Sequence, residues 1–324
     1  MRNKTIDQSR LFAALLVVVI HAPIPGVIGA AIESIARLAV PFFFMLSGYF
    51  AFDKDRHGLF GQAIKNLRLF IFALAVNFGW DVVLSLLRGN AAELLSQRLS
   101  LTAILEGTLL NTGVLVGHLW FLLALVYVYV LYALFLRESR AVTRACVGLT
   151  LLVALYSLRE LLRWMGVADV VYYLRNFLFV GMPLFVLGTL AAEHRDKLVK
   201  IKPVAWTLAG IVGAALSVVE RLTLGSCDVY LGTPLLAAAF FALSALNILP
   251  CSNLFAELGR KYSRDIYVFH TIVLGAINIF ASLLGILQNT VFLFVRPVTI
   301  IVACIFGLWV IYKILNFKNQ SVKD

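Results

Sequence analysis

The sequence is poor in charge. Only 14% of its 324 residues are Asp, Glu, Lys or Arg, against about 25% in an ordinary soluble domain. Hydrophobic residues fill 61% of it, where a soluble domain carries about 45–50%. Together these figures exclude a soluble globular protein, because too little polar surface is left to cover so large an apolar mass. Cysteine is scarce too: Cys146 and Cys304 fall in apolar runs, Cys251 in a basic loop and Cys227 near a neutral one. That scatter supports no disulfide framework, and all four read as free thiols. Also missing are a Gly-rich phosphate loop, a Cys/His metal spacing, a G-x-S-x-G elbow and an internal repeat. Their absence points away from nucleotide-loop enzymes, metal sites, serine hydrolases and solenoids. Acidic residues are the minority sign, 17 against 28 basic, for a net charge of +11. In a soluble chain that excess suggests nucleic acid; in an apolar one it marks cytoplasmic loops, so no nucleic-acid partner is expected.

What remains is a series of apolar runs that approach the roughly 20 residues a bilayer crossing needs. The expected fold is all-α, one integral membrane domain over residues 1–324 with about ten crossings. The crossings start near Arg10, Arg37, Lys65, Gly117, Thr143, Tyr173, Pro203, Leu231, Asp265 and Phe292. The first is broken by Pro23-Ile24-Pro25-Gly26, an interruption tolerated where it lines a protein cavity. Most of the 28 basic residues fall in alternate loops: around Arg2 and Lys4; Lys54 and Arg56; Arg137 and Arg140; Arg195 to Lys202; Arg260 to Arg264; and Lys313, Lys318 and Lys323. Both termini are therefore expected in the cytoplasm, with the chain multi-pass in the cytoplasmic membrane. Ala91 to Val116 mixes leucines with Glu93, Gln97 and Arg98, as in a helix lying in the outer interface. The N-terminus resembles a secretory signal with small residues after Pro25, but cleavage would place His21 inside the signal's apolar core, so a retained helix is expected.

The stretch RLFAALLVVVIH, residues 10–21, carries an ionisable imidazole deep in an apolar run. Such a group is a functional-site candidate by default. Eleven residues are about three helical turns, so Arg10 and His21 share a face and stand roughly 16 Å apart along the axis. A cation at the inner mouth and a base deep inside suit a long ligand whose phosphate end stays in the cytoplasm. The plainer alternative is a topology-setting arginine and a histidine bonded to a neighbouring carbonyl.

The runs IDQSRLFAALLVVVIHA, RLAVPFFFMLSGYF, GHLWFL and SRDIYVFH resemble the acyltransferase-3 family of integral membrane acyltransferases, whose Arg-x10-His signature falls on Arg10 and His21. Within it, IDQSRLFAALLVVVIHA, ARLAVPFFFMLSGYF and RNFLFVGMPLFVLG are similar to the membrane part of membrane-bound serine racemases of vancomycin resistance. Those carry a pyridoxal-phosphate racemase domain that this sequence, ending at Asp324, does not show, so racemase activity is not expected. The family resemblance implies about ten helices and transfer of an acyl group, usually acetyl, from cytoplasmic acyl-CoA to an extracytoplasmic acceptor, often a cell-surface sugar. No permanently bound cofactor or metal is implied; acetyl-CoA is the donor substrate.

The residues then divide into roles. His21 is the expected catalytic base, since a hydroxyl must lose its proton as it attacks a thioester; transient acylation of His21 is the alternative. Arg10 is expected to hold CoA phosphate, with Lys65 and Arg68, three apart on the third helix, sharing the load or serving only as anchors. His270, placed shallow on the inner side near Asp265, is expected to cap the CoA end. His118 and Trp120, at the outer start of the fourth helix, suit a sugar or amino-acid acceptor. Arg37 is read as an acceptor contact or as the partner of Glu33 four residues away. Glu220 and Asp81 either orient the acceptor or pair with arginines. His57 and His194, in basic loops, receive no role. Ser47-Gly48-Tyr49 is read as a close-packing site rather than a nucleophile. Two competing functions stay open: a permease or binding protein for a small hydroxylated solute such as serine, and a scaffold for an envelope-polymer pathway.

Overall fold

The computed structural model describes residues 2–113, 116–167 and 173–321, with side chains as far as Ile314; Lys318 as a side chain and Lys323 lie outside that range. Helices account for nearly all of it, and no strand occurs among the described residues. In chain order the elements are α1 (Lys4–His21), α2 (Gly26–Ala36), α3 (Ala39–Ala51), α4 (Arg56–Arg88), α5 (Ala91–Arg98), α6 (Leu101–Leu105), α7 (Trp120–Leu131) and α8 (Ala141–Trp164). They continue with α9 (Met182–Glu193), α10 (Arg195–Leu198), α11 (Pro203–Leu224), α12 (Thr233–Ala245), α13 (Asn253–Leu283) and α14 (Thr290–Ser321). Among the described residues, 7 helical stretches are long and apolar enough to cross a bilayer. Beside them stand α1, the stretch Phe177–Glu193 and α12, which are shorter or carry more charge. The protein is thus an all-α, polytopic membrane protein.

Local chemistry sets the boundaries. Asn3 caps α1 by accepting the Ile6 amide at 3.0 Å, and α1 stops at His21 because Pro23 disfavours helical geometry in the residue before it. The Pro23–Gly26 break therefore turns the chain between α1 and α2 rather than interrupting a crossing. The second span runs from Gly26 to Ala51, so Arg37 lies at the bend between α2 and α3 and not at a helix head. The outer segment expected as one interfacial helix forms two, α5 and α6. They are separated at Ser100, whose hydroxyl accepts the Ala103 amide at 3.2 Å; its last residues, 114 and 115, lie outside the described range.

Packing separates a core from a shell. The best 18-residue window of the span Gly117–Leu136 is 72% buried, whereas those of α4, α8 and α11 are 17%, 17% and 11% buried. The latter present Leu, Val and Phe outward, the surface a lipid tail meets. Backbones approach closely where glycine allows it: a Cβ on Gly48 would stand 1.9 Å from the Phe185 carbonyl oxygen, and one on Gly188 at 1.9 Å from that of Met45. Gly48 thus serves the α3–α9 contact, the close-packing role expected of it, and the Ser47 hydroxyl donates to the Phe43 carbonyl at 2.8 Å. Gly259 brings α13 against α1 in the same way, with a Cβ there 1.9 Å from the Asp7 carbonyl oxygen.

The two ends of the bundle are tied differently. At the N-terminal end Gln8 donates to the Pro250 carbonyl at 2.7 Å, Arg137 to that of Lys54 at 2.6 Å, and Arg144 pairs with Glu193. At the opposite end Glu33 lies between Arg37 at 2.6 Å and Arg221 at 2.8 Å, Arg37 also pairs with Asp228, and Arg98 meets Asp81 at 2.5 Å. The basic loops collect at the first end, the one the charge pattern assigns to the cytoplasm.

Candidate active site

His21 is the last residue of α1 and its ring opens into a cavity at the outer end. That cavity is also lined by Arg37, His118, Trp120, Arg175, Asp228 and Tyr267. A neighbouring cavity of about 330 Å³ shares His21, His118 and Arg175 and adds Asn77, Trp80, Asp81 and Thr271. Two further imidazoles meet His21. The ring centroids of His21 and His270 are 5.0 Å apart, those of His118 and His270 5.1 Å, and those of His21 and His118 6.1 Å. The three come from α1, the turn before α7, and α13.

The protons on two of these rings follow from their partners. His270 is fully buried, and its Nδ1 lies 2.8 Å from the Tyr267 carbonyl oxygen and 3.2 Å from that of Ile266. Carbonyls only accept, so Nδ1 carries the proton and donates, which leaves the Nε2 lone pair free. That Nε2 has no hydrogen-bond partner in the structure. At His118 the chain runs through Thr271 and Asn77. The Thr271 hydroxyl donates to Asn77 Oδ1 at 2.9 Å, and so accepts from His118 Nε2 at 3.4 Å. Asn77 is itself fixed by donating to the Ala73 and Val268 carbonyls at 2.9 and 3.1 Å. Two of the three rings are therefore held by backbone or by an anchored relay, and of the three only His21 is exposed.

Beneath this cluster, toward the N-terminal end, lies a cavity of about 500 Å³ lined by Arg10, Ser47, Lys54, Gln62, Asn66 and Arg264 along with apolar side chains. Tyr267 borders both this cavity and the outer one, and its hydroxyl donates to the His118 carbonyl. Phe121 packs on it with ring centroids 5.6 Å apart. One layer of aromatic side chains thus separates a basic inner chamber from the histidines. Arg10 and His21, on one face of α1, address the two sides of that layer.

Several sequence expectations change place. His270 is not at the inner edge. The helix carrying it starts at Asn253 rather than near Asp265, because its charged inner turns continue the same helix, so His270 lies roughly 25 Å along it and against His21. Lys65 and Arg68 are exposed on α4 and line neither cavity. The inward stripe of that helix is Gln62, Asn66 and Leu69, spaced four and three apart as one face requires. The inner cations are instead Arg10, Lys54 and Arg264. Glu220 lines neither chamber: it pairs with Arg159 at 2.7 Å and accepts the Leu231 amide at 2.6 Å, tying down the loop after α11. Arg37 lines the outer cavity and pairs with Glu33, the partner expected of it, and with Asp228. His118 and Trp120 line that cavity, and Arg175 lies over the Trp120 ring at 5.6 Å. Sequence reasoning missed Tyr267, Asn77, Thr271, Arg175 and Asp228. A polar Asn77 in the middle of an apolar helix was the available signal for one of them. Among the described residues no cluster of His, Cys, Asp and Glu has metal-holding geometry.

Comparison with known proteins agrees with the resemblance drawn from the motifs. Residues 3–314 match the acyltransferase-3 family, described as an acyltransferase domain. The chain is 26% identical over 356 aligned positions to an amino-acid racemase of Enterococcus faecalis, an alignment covering 98% of this chain and 47% of that protein. It is 39% identical over 87 residues to a serine/alanine racemase of Enterococcus gallinarum, covering 22% of this chain and 12% of that one. The chain thus spans about half the length of the first relative at most. No solved structure matches it. With a family match over nearly its whole length, the chain belongs to the acyltransferase-3 family and is a multi-pass membrane protein carrying that family's acyltransferase domain.

Proposed function

We propose that the protein moves an acetyl group from cytoplasmic acetyl-CoA to a hydroxyl of an extracytoplasmic acceptor, a cell-surface carbohydrate or a small hydroxylated molecule, across the cytoplasmic membrane. The observation that carries this reading is the position of His21, on one helix face with Arg10 and separated from the basic chamber by one aromatic layer. Arg10, Lys54 and Arg264 supply cations for the CoA phosphates at the inner mouth, where charge-assisted hydrogen bonds are strongest in partly desolvated surroundings. The pantetheine arm reaches toward Tyr267. The acceptor enters from the outer cavity and presents its hydroxyl to His21.

Chemically, His21 takes the hydroxyl proton as the oxygen attacks the thioester carbonyl. The new C–O bond forms, the C–S bond breaks, and the proton passes from the imidazole to the departing sulfur, giving an ester and free CoA thiol. The free Nε2 of His270 offers an acceptor beside His21 for the imidazolium formed on the way.

The test is thiol release from acetyl-CoA by the purified protein in lipid nanodiscs, with and without hydroxyl compounds. Acceptor-dependent release of CoA supports acyl transfer. A second reading has support in the relatives, a serine/alanine racemase and an amino-acid racemase: passage or binding of a hydroxylated amino acid with no chemistry. Serine uptake into vesicles without CoA consumption would establish that reading instead.

A further inference from the structure

Adjoining the His21 cavity, at the same end of the bundle, is a second cavity of about 320 Å³ lined by Arg159, Arg163, Arg175, Ser226, Cys227 and Asp228 with apolar side chains. Arg175, Val180, Asp228 and Val229 line both cavities, so the two adjoin across a shared wall. The expected roles of the site did not call on this cavity, and its three guanidiniums are not equally satisfied.

Arg159 is fully engaged, with Glu220 at 2.7 Å, Glu160 at 2.8 Å and the Val229 carbonyl at 3.2 Å. Arg163 reaches Glu160 only at 3.4 Å, on the same carboxylate oxygen that Arg159 already holds. Arg175 Nε lies 3.5 Å from Asp228 Oδ2, while Arg37 makes the closer contact to that carboxylate. Arg175 Nε and Asp228 Oδ2 both lack a hydrogen-bond partner. Two guanidiniums that face one cavity therefore have only a share of a carboxylate each. Around these two cavities Arg37, Arg159, Arg163, Arg175 and Arg221 share Glu33, Glu160, Glu220 and Asp228 among the described residues. A guanidinium withdrawn from bulk water calls for an anion, and its planar fork matches a carboxylate or phosphate.

We infer that this cavity is an oxyanion subsite for the acceptor. It takes a carboxylate or phosphate carried by the same molecule whose hydroxyl reaches His21. Arg163 and Arg175 hold the anion, Asp228 Oδ2 accepts from a hydroxyl or ammonium beside it, and Arg175 and Asp228, which border both cavities, set the molecule's orientation toward His21. The assignment of that molecule as the acyl acceptor rests on the acyl-transfer reading; anion binding itself rests on the arginines.

The experiment measures thermal stabilisation of the protein in nanodiscs, at fixed ionic strength, by glucuronate, glycerol 3-phosphate and neutral methyl glucoside. CoA release is followed with the same three compounds. The expected result is stabilisation by at least one anion and not by methyl glucoside, with affinity falling about tenfold or more in Arg163→Gln, as for loss of a charge-assisted contact. Arg163 is partly exposed and bonds only Glu160, so this variant retains its fold; Arg175→Gln is the second arm. Response to glucuronate alone identifies a carboxylate, and to glycerol 3-phosphate alone a phosphate. Arginine-dependent anion binding without CoA release from any compound would remove the acyl-transfer reading and leave the anion site standing. Equal response to neutral and anionic compounds, no stabilisation by either anion, or anion binding unchanged in both variants would overturn the subsite.

Discussion

The inner and outer chambers use the same residue types in opposite ways. In the inner one Arg264 pairs with its neighbour Asp265 at 2.8 Å, but Arg10 is loosely held. Arg10 has its carboxylate neighbour Asp7 at 3.9 Å, and Asp7 is already taken by Arg2 at 2.6 Å. Around the outer one, Glu33 is clamped between Arg37 and Arg221, and Arg37 also pairs with Asp228. Loosely held charges keep their capacity for a mobile polyanion arriving from solution. Paired charges are spent on shape: they fix the walls around His21 at a desolvation cost that only mutual pairing offsets. The catalytic histidine candidate sits where the two arrangements meet, beside two histidines held by hydrogen bonds rather than by ion pairs.

The comparison breaks most visibly at the meeting point. His21→Ala should lower acetyl transfer by about 10²–10⁴-fold, the usual contribution of a general base, while CoA binding measured by calorimetry stays intact. His21→Gln should fail equally, since it keeps polarity without a basic nitrogen. Near-normal transfer in the Gln variant would show that the ring serves packing alone.

Next in size is the outer frame. Glu33→Gln leaves Arg37 and Arg221 without their shared carboxylate and should destabilise the protein by about 3–5 kcal/mol, the cost of breaking a buried pair. Thermal unfolding in detergent would read it. A loss under about 1 kcal/mol, the range of exposed pairs, would mean that the outer arginines are as loosely held as Arg10. At the inner chamber, Arg10→Ala should weaken CoA binding by about 1.5–3 kcal/mol, as for hydrogen bonds to charged groups. The smallest effect belongs to Lys65→Ala and Arg68→Ala, which should leave CoA affinity unchanged. A loss as large as that of Arg10 would bring the exposed face of α4 into the donor site and redraw the inner chamber.

How far the sequence reaches differs between these parts. The Arg10–His21 pair was legible because both residues ride on one helix, where an 11-residue step fixes their relative face and rise. The small residues of LSGYF likewise declared a close helix contact, the one Gly48 makes with α9. Lys65 and Arg68 misled because a local spacing shows that two residues share a face, not which way that face turns. His270 misled for a related reason: the charged turns of 253–264 resemble a loop by hydropathy but belong to a helix stabilised by its contact with α1 through Gly259.

By itself, then, the sequence determined the membrane class, the helical build, the family and the two ends of the Arg10–His21 axis. Class and build follow from hydropathy and the axis from helical spacing, both of which act within a few turns of chain; the family follows from the resemblance of four short motifs. Only the tertiary structure decided that His118 and His270 close on His21, that Lys54 and Arg264 replace Lys65 and Arg68 beside Arg10, and that Glu220 serves a loop rather than an acceptor. Those choices depend on which helix faces meet across the bundle. Backbone approach at glycines and the pairing of buried charges select them between residues on different helices, beyond the reach of any local pattern.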